Sequence, residues 1–131
     1  MKNKFIKLLN EDKKIIEEIK EKKNTFIVEI HGKECSDISS YFNIISEKLE
    51  FPMKTKSYDS YNSWMKDLSW ILNEKIVIII YNYKSFLEND IKAKKLIEKL
   101  FIDSILPWWD TEVCKYVLCG KKKSFNVYCI E

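Results

Sequence analysis

The sequence contains no arginine, so all of its 23 basic side chains are lysines. Arginine carries the planar guanidinium that clamps phosphates and reads guanine edges with two hydrogen bonds. Lysine still attracts phosphate, but it selects no sequence. The net charge is only +3, and residues 1–24 account for all of it with eight lysines against five acidic residues. This composition argues against a protein that binds a specific nucleic acid.

Residue types that bind metals or cofactors are also scarce. His31 is the only histidine, the four cysteines lack the paired spacing of a zinc site, and the two glycines are isolated. We therefore expect no metal and no cofactor. His31 and Cys35 could serve as base and nucleophile, but a strand histidine followed by a turn cysteine explains both positions more simply. The protein is predicted not to be an enzyme.

Long apolar runs are missing as well, and none approaches the roughly 20 residues of a membrane span. Lys7, Glu11 and Asp12 interrupt the apolar N terminus, which is unlike a secretory signal. The chain has 131 residues, 46% hydrophobic and 33% charged, as expected for one globular domain. We expect a cytoplasmic protein that does not bind membranes and whose cysteines are reduced and mostly buried.

Hydrophobic periodicity predicts an alternation of helices and strands. Residues 2–22 carry an apolar stripe typical of an amphipathic helix, and we expect an N-terminal helical arm over residues 1–24. The predicted strands are 25–32, 75–82, a short edge strand in 112–120, and 124–131. The predicted helices start at Ser36 or Asp37, at 58 and at 89. Because helices separate the strands, residues 25–131 should form one α/β domain with a parallel sheet.

Two of these elements carry more detailed predictions. The run "KIVIIIYN" at 75–82 is continuously apolar, as in a strand covered on both faces. The helix over 89–106 should turn Ile91, Leu96, Leu100 and Phe101 towards the core and should end at Pro107, because proline breaks a helix interior.

The stretch "SYDSYNSWMKDLSWI" predicts an amphipathic helix over 58–72 with one unusual face. On a helical wheel the apolar arc, which should face the core, comprises Tyr58, Tyr61, Trp64, Met65, Leu68, Ile71 and Leu72. The opposite arc comprises Asp59, Asn62, Ser63, Lys66, Asp67 and Trp70. A tryptophan among short polar and acidic side chains is typical of a protein-binding surface. The alternative is that the N-terminal arm covers Trp70.

The order and spacing of five segments also carry information: "FIVEIHGKECSDISSYFNIISEKLEFP", "SYDSYNSWMKDLSWI", "KIVIIIYN", "LIEKLF" and "FNVYCIE". Together they resemble the barstar family of small intracellular inhibitors of secreted ribonucleases. The resemblance covers roughly residues 25–131 and leaves the N-terminal arm unmatched. It implies a three-stranded parallel sheet packed by helices.

The resemblance also implies a binding mode, in which the second helix and the loop before it enter a ribonuclease active site. Asp59 matches the family's helix-opening aspartate, whereas Asn62 and Ser63 stand at the positions of a tryptophan and a key acidic residue. The preceding loop, "PMKTKS", is one residue shorter than the family's loop, has neither its tyrosines nor its glycine, and carries Lys54 and Lys56. The predicted contact face comprises Lys54, Lys56, Asp59, Asn62, Ser63, Lys66, Asp67 and Trp70.

Our leading hypothesis is a barstar-like inhibitor that binds a partner enzyme and occludes its active site, with a ribonuclease toxin as one candidate. The alternative is a structural or regulatory interaction module of the same fold that inhibits nothing. In that case the N-terminal arm would mask the helix over 58–72 or mediate self-association.

Overall fold

The computed structural model describes residues 2–9 and 12–131, which form a parallel β-sheet with helices on both faces. The strands are β1 (Phe5–Leu8), β2 (Thr25–His31), β3 (Lys75–Tyr81) and β4 (Ser124–Ile130). The helices are α1 (Lys13–Glu21), α2 (Ile38–Lys48), α3 (Tyr58–Met65), α4 (Ile91–Leu100) and α5 (Val113–Tyr116). Two π-helical turns, Phe101–Ile105 and Trp108–Glu112, join α4 to α5.

The four strands are parallel and lie in the order β1-β4-β3-β2. The predicted parallel α/β fold is therefore confirmed, but the expected three-stranded sheet is wrong by one strand. That strand, β1, pairs with β4 from Phe5 beside Val127 to Leu8 beside Ile130. The helix predicted over 2–22 is therefore wrong at residues 5–8, which form β1, and is confirmed at residues 13–21, which form α1. Residues 10 and 11 lie outside the described part of the chain.

Strand β3 is covered on both faces, as its apolar run predicts. Ile78 faces the large core beneath α2, α3 and α4, and Ile79 faces a smaller core beneath α1. Ile16 and Ile19 are the buried residues of α1 and belong to that smaller core. The N-terminal segment thus supplies both an edge strand and the cover of one sheet face.

The chain after α4 differs from the prediction, because the helix does not end at Pro107. It widens instead: the Leu106 N–H donates to the Phe101 carbonyl, and the Val113 N–H donates to the Trp108 carbonyl, each five residues earlier. Wide turns of this kind accommodate a residue that has no N–H to donate. The strand predicted in 112–120 is consequently wrong, since α5 occupies its first half.

The inward face of α4 is also rotated from the predicted one. Ile91 and Leu96 are 53% and 37% exposed, whereas Ala93 and Ile97 are buried. Asp90 caps the helix by accepting the Ala93 N–H at 3.1 Å, which fixes where the first turn starts. Of the four residues predicted to face inward, Phe101 is fully buried and Leu100 is partly buried.

Among residues 2–9 and 12–131, no helix has the length and apolar character needed to traverse a bilayer.

The cover supplied by α1 predicts a difference between two isoleucines of that helix. Ile19→Ala should lower the free energy of unfolding by about 2–4 kcal/mol, because it leaves a cavity in the smaller core. Ile15→Ala, at a 40% exposed position of the same helix, should change it by only about 0.5 kcal/mol. Urea unfolding of both variants measures the difference, and equal small effects would show that α1 does not cover the sheet.

Candidate functional site

The loop before α3 is held from the inside by Thr55. This residue is buried, its N–H donates to Ser46 Oγ at 3.0 Å, and its hydroxyl donates to the Ser57 carbonyl at 3.1 Å. Ser57 in turn caps α3 by accepting the Ser60 N–H at 3.1 Å. Because the loop is fixed through Thr55, the flanking Lys54 and Lys56 project into solvent.

Helix α3 presents one apolar and one polar side. On the inner side, Tyr61 and Met65 are fully buried, and the Tyr61 hydroxyl is 2.7 Å from that of Tyr41. Burial raises the pKa of Tyr61 well above its usual range. On the outer side, Asp59 and Ser63 are exposed and one turn apart, so that they share one face of the helix.

The outer side continues onto the π-helical segment after α4. The Ser104 hydroxyl donates to Asn62 Oδ1 at 3.2 Å. Lys66 Nζ lies 4.8 Å from the centre of the Trp108 ring, and the Tyr116 ring stacks on Trp108 with a centroid distance of 6.2 Å. None of Ser104, Trp108 and Tyr116 was among the predicted site residues. Trp108 and Tyr116 lie beyond Pro107, where the helix was expected to end, and no local pattern links Ser104 to Asn62.

The predicted helix over 58–72 is wrong beyond Met65. The Lys66 N–H is shared among the Asn62, Ser63 and Trp64 carbonyls, and Leu68 adopts a left-handed φ of 46°. The rotation of 100° per residue therefore no longer applies after the helix end. Leu72, predicted to face the core, is 90% exposed.

Trp70 leaves the polar face for the same reason. Its indole N–H donates to the Leu49 carbonyl at 2.8 Å, and its ring packs edge-on against Phe51 and Trp64 at centroid distances of 6.1 and 5.7 Å. The ring is partly buried against the large core. Helix α1 does not provide this cover, since its buried side belongs to the core on the other sheet face.

The remaining predicted residues are grouped around the start and the outer side of α3. We call this group the α3 surface: Lys54, Lys56, Asp59, Asn62, Ser63, Lys66 and Asp67. Asp67 is exposed and accepts the Ser69 N–H at 3.3 Å. With three lysines and two aspartates, the surface carries charges of both signs, which suits binding to another molecule rather than chemistry.

The pair His31 and Cys35 does not have the character of a catalytic site. Cys35 is fully buried, and burial, with smaller effects of Glu34 and Asp37, raises the pKa of its thiol to about 12. A nucleophilic cysteine needs the opposite shift. His31 is exposed and its ring stacks on Tyr81. Within the described ranges, no group of three or more His, Cys, Asp or Glu residues could hold a metal ion.

A comparison of the sequence with protein-family models identifies a family for this chain. The model of the Barstar family, described as barstar (barnase inhibitor), matches residues 25–119. The chain belongs to the Barstar family. Membership implies a role in binding a protein partner, because the family is described as an inhibitor of another protein, barnase. A search of curated proteins and a search of solved structures each found no match.

The packing of Trp70 predicts that this residue of the Barstar-family chain stabilises the fold. Trp70→Ala should lower the free energy of unfolding by about 2–3 kcal/mol, because it removes ring packing and the partner of the Leu49 carbonyl. Leu72→Ala, in the same loop but exposed, should change it by less than about 0.5 kcal/mol. Chemical unfolding monitored by far-UV circular dichroism tests both, and a neutral Trp70→Ala would contradict the described packing.

The raised pKa of Cys35 predicts that alkali destabilises the protein. Below about pH 9 the thiol is protonated in both states; above it the unfolded chain loses the proton first, while the folded chain keeps it up to about pH 12. The free energy of unfolding should therefore fall as the pH rises from about 9, by up to about 1.4 kcal/mol per pH unit for this group. Cys35→Ala should make the decline between pH 9 and 10 shallower; an unchanged slope would contradict the assignment to Cys35.

Proposed function

We propose that the protein is a barstar-like inhibitor that binds a ribonuclease toxin and occludes its active site with the α3 surface. The observation that carries the proposal is the arrangement of α3 and its preceding loop. Asp59, Ser63, Lys54 and Lys56 all project outward from a segment whose inner side is fixed in the core. The chain's membership of a family described by barnase inhibition supports the same use of this segment.

The α3 surface is suited to occlusion because its support is rigid. Thr55 fixes the loop, Ser57 caps the helix, and the buried Tyr61 hydroxyl bonds to that of Tyr41. A surface that is already in its bound conformation loses little conformational freedom on binding. Inhibition by such a surface needs shape and charge complementarity only, and it needs no reactive group.

The regulatory alternative, in which the N-terminal arm masks this helix, lacks support from the packing. Helix α1 lies over Val77 and Ile79, whereas Tyr61 and Met65 of α3 lie over the opposite side of the sheet. The α3 surface is thus open to a partner without any movement of α1.

The proposal predicts inhibition that depends on Asp59. A panel of barnase-type ribonucleases, assayed with a fluorogenic RNA substrate, should include an enzyme that the protein inhibits at a 1:1 ratio. Asp59→Lys should raise the inhibition constant at least tenfold, equivalent to about 1.4 kcal/mol, because it removes a negative charge and places a third positive charge beside the two lysines of the loop.

The matched control is Glu17→Lys, which makes the same charge change at an exposed position of α1 on the other sheet face. It should leave the inhibition constant within about twofold, since it lies outside the interface and well-separated charges are screened by salt. Equal losses from both variants would attribute binding to net charge rather than to the α3 surface. Failure to inhibit any enzyme of the panel would overturn the assignment as a ribonuclease inhibitor.

A further inference from the structure

Two of the four cysteines are exposed and lie near each other in the chain. Cys114 and Cys119 are free and exposed, whereas Cys35 and Cys129 are free and buried. In an extended strand, an odd separation of five residues would send the two exposed thiols to opposite faces. The chain is helical through Tyr116 and then turns, so the alternation of side chains between the two faces of a strand does not apply here.

The turn folds Cys119 back towards the start of α5. The Gly120 N–H donates to the Val117 carbonyl at 2.9 Å, which closes a four-residue turn. Cys119 occupies its third position with a φ of 59°, the left-handed value that this place in a type II turn requires. Gly120 lies so close to α5 that a Cβ atom there would be 2.4 Å from the Val113 carbonyl oxygen.

The thiol of Cys114 points at this turn. Its Sγ donates to the Gly120 carbonyl at 3.4 Å. Residues 113 and 120, which flank the two cysteines, are therefore in backbone contact, and one thiol already contacts the residue next to the other cysteine. A disulfide needs Cα atoms about 4.4–6.8 Å apart, a separation that the contact of the Cys114 thiol with the residue after Cys119 favours.

We propose that Cys114 and Cys119 form a redox-responsive thiol pair that a peroxide converts into an intramolecular disulfide. One thiolate attacks a peroxide oxygen, the O–O bond breaks, and the products are a sulfenic acid and, from hydrogen peroxide, one water. The second thiol attacks the sulfenic sulfur, an S–S bond forms, and a second water leaves. The two sulfurs lose two electrons in total, and hydrogen peroxide accepts both.

Closing this bond constrains Tyr116, which lies between the two cysteines. Its ring stacks nearly parallel on Trp108, and Lys66 of the α3 surface lies over that tryptophan. Oxidation would hold Tyr116 against Trp108 and reduce the freedom of this border of the α3 surface. An effect on partner binding rests on the proposed function, whereas the thiol chemistry does not.

Peptide mapping tests the proposal on the full chain, because trypsin cleaves between the two cysteines at Lys115. The reduced protein is freed of reductant, treated with an equimolar amount of hydrogen peroxide under native conditions, alkylated and digested. We expect a monomer that has lost two hydrogen atoms in mass, with peptides 100–115 and 116–121 linked. Cys35 and Cys129 should stay reduced during the peroxide treatment. Because both are buried, their peptides should carry the alkyl group only when the protein is unfolded before alkylation, and they serve as internal controls.

Cys114→Ser and Cys119→Ser should each abolish the linked peptides while leaving far-UV circular dichroism unchanged, since both positions are exposed. In each variant the remaining thiol should end as a sulfenic acid or an intermolecular dimer, because one equivalent of peroxide supplies only one two-electron oxidation. Linked peptides in either serine variant, covalent dimers as the main wild-type product, or a wild-type sulfenic acid that does not proceed to the disulfide would overturn the proposal. So would a disulfide that forms only after denaturation.

Discussion

All four strands of the sheet run parallel, and a parallel sheet needs apolar cover on both faces. The N-terminal segment meets this requirement on one face through Ile16 and Ile19, and Asn3 locks it in place. The Asn3 side chain donates to the Leu106 and Lys123 carbonyls and accepts the Phe125 N–H, while its backbone N–H donates to the Asp110 carboxylate. This buried and fully bonded side chain joins β1 both to β4 and to the π-helical segment. The other face is therefore left to α2, α3 and α4, with α3 at its outer surface.

The end of α3 depends on side-chain donors that satisfy backbone carbonyls in the segment that follows. The Trp109 indole donates to the Met65 carbonyl at 2.8 Å, and Lys123 Nζ donates to the Ile71 and Asn73 carbonyls at 2.9 and 2.6 Å. Such groups would otherwise be unsatisfied at the end of a helix and in a partly buried loop. These bonds tie the segment after α3 to the π-helical turns and to β4. The α3 surface thus rests on elements far away in the sequence, which makes its position a property of the whole fold.

Strands β2 and β3 were predictable because both are rich in β-branched residues, and the continuous apolar run of β3 also indicated its burial on both faces. Strand β1 was not: with Phe5 and Leu8 three residues apart, its four residues fit a helical stripe equally well, and only pairing with Val127 on a distant strand decides the matter. The continuation past Pro107 depends on two widened turns that no local pattern signals. The polar side of α3 was predicted correctly as far as Met65, the last residue of the helix. Beyond it, Leu68 adopts a left-handed φ and changes the direction of the chain.

The charges of the α3 surface bear on how a protein of this family can hold a partner. Acidic side chains attract a basic active site over long distances, but the exposed Ser63 is neutral and the loop before α3 carries Lys54 and Lys56. With three lysines against two aspartates, the surface exerts little net pull, and electrostatic steering contributes little to the rate of association. Under the proposed function, the affinity of this surface for a partner therefore depends on short-range contacts. The stack of Lys66, Trp108 and Tyr116 supplies the large, semi-rigid aromatic area that such contacts need, and it borders the α3 surface through the hydrogen bond between Ser104 and Asn62.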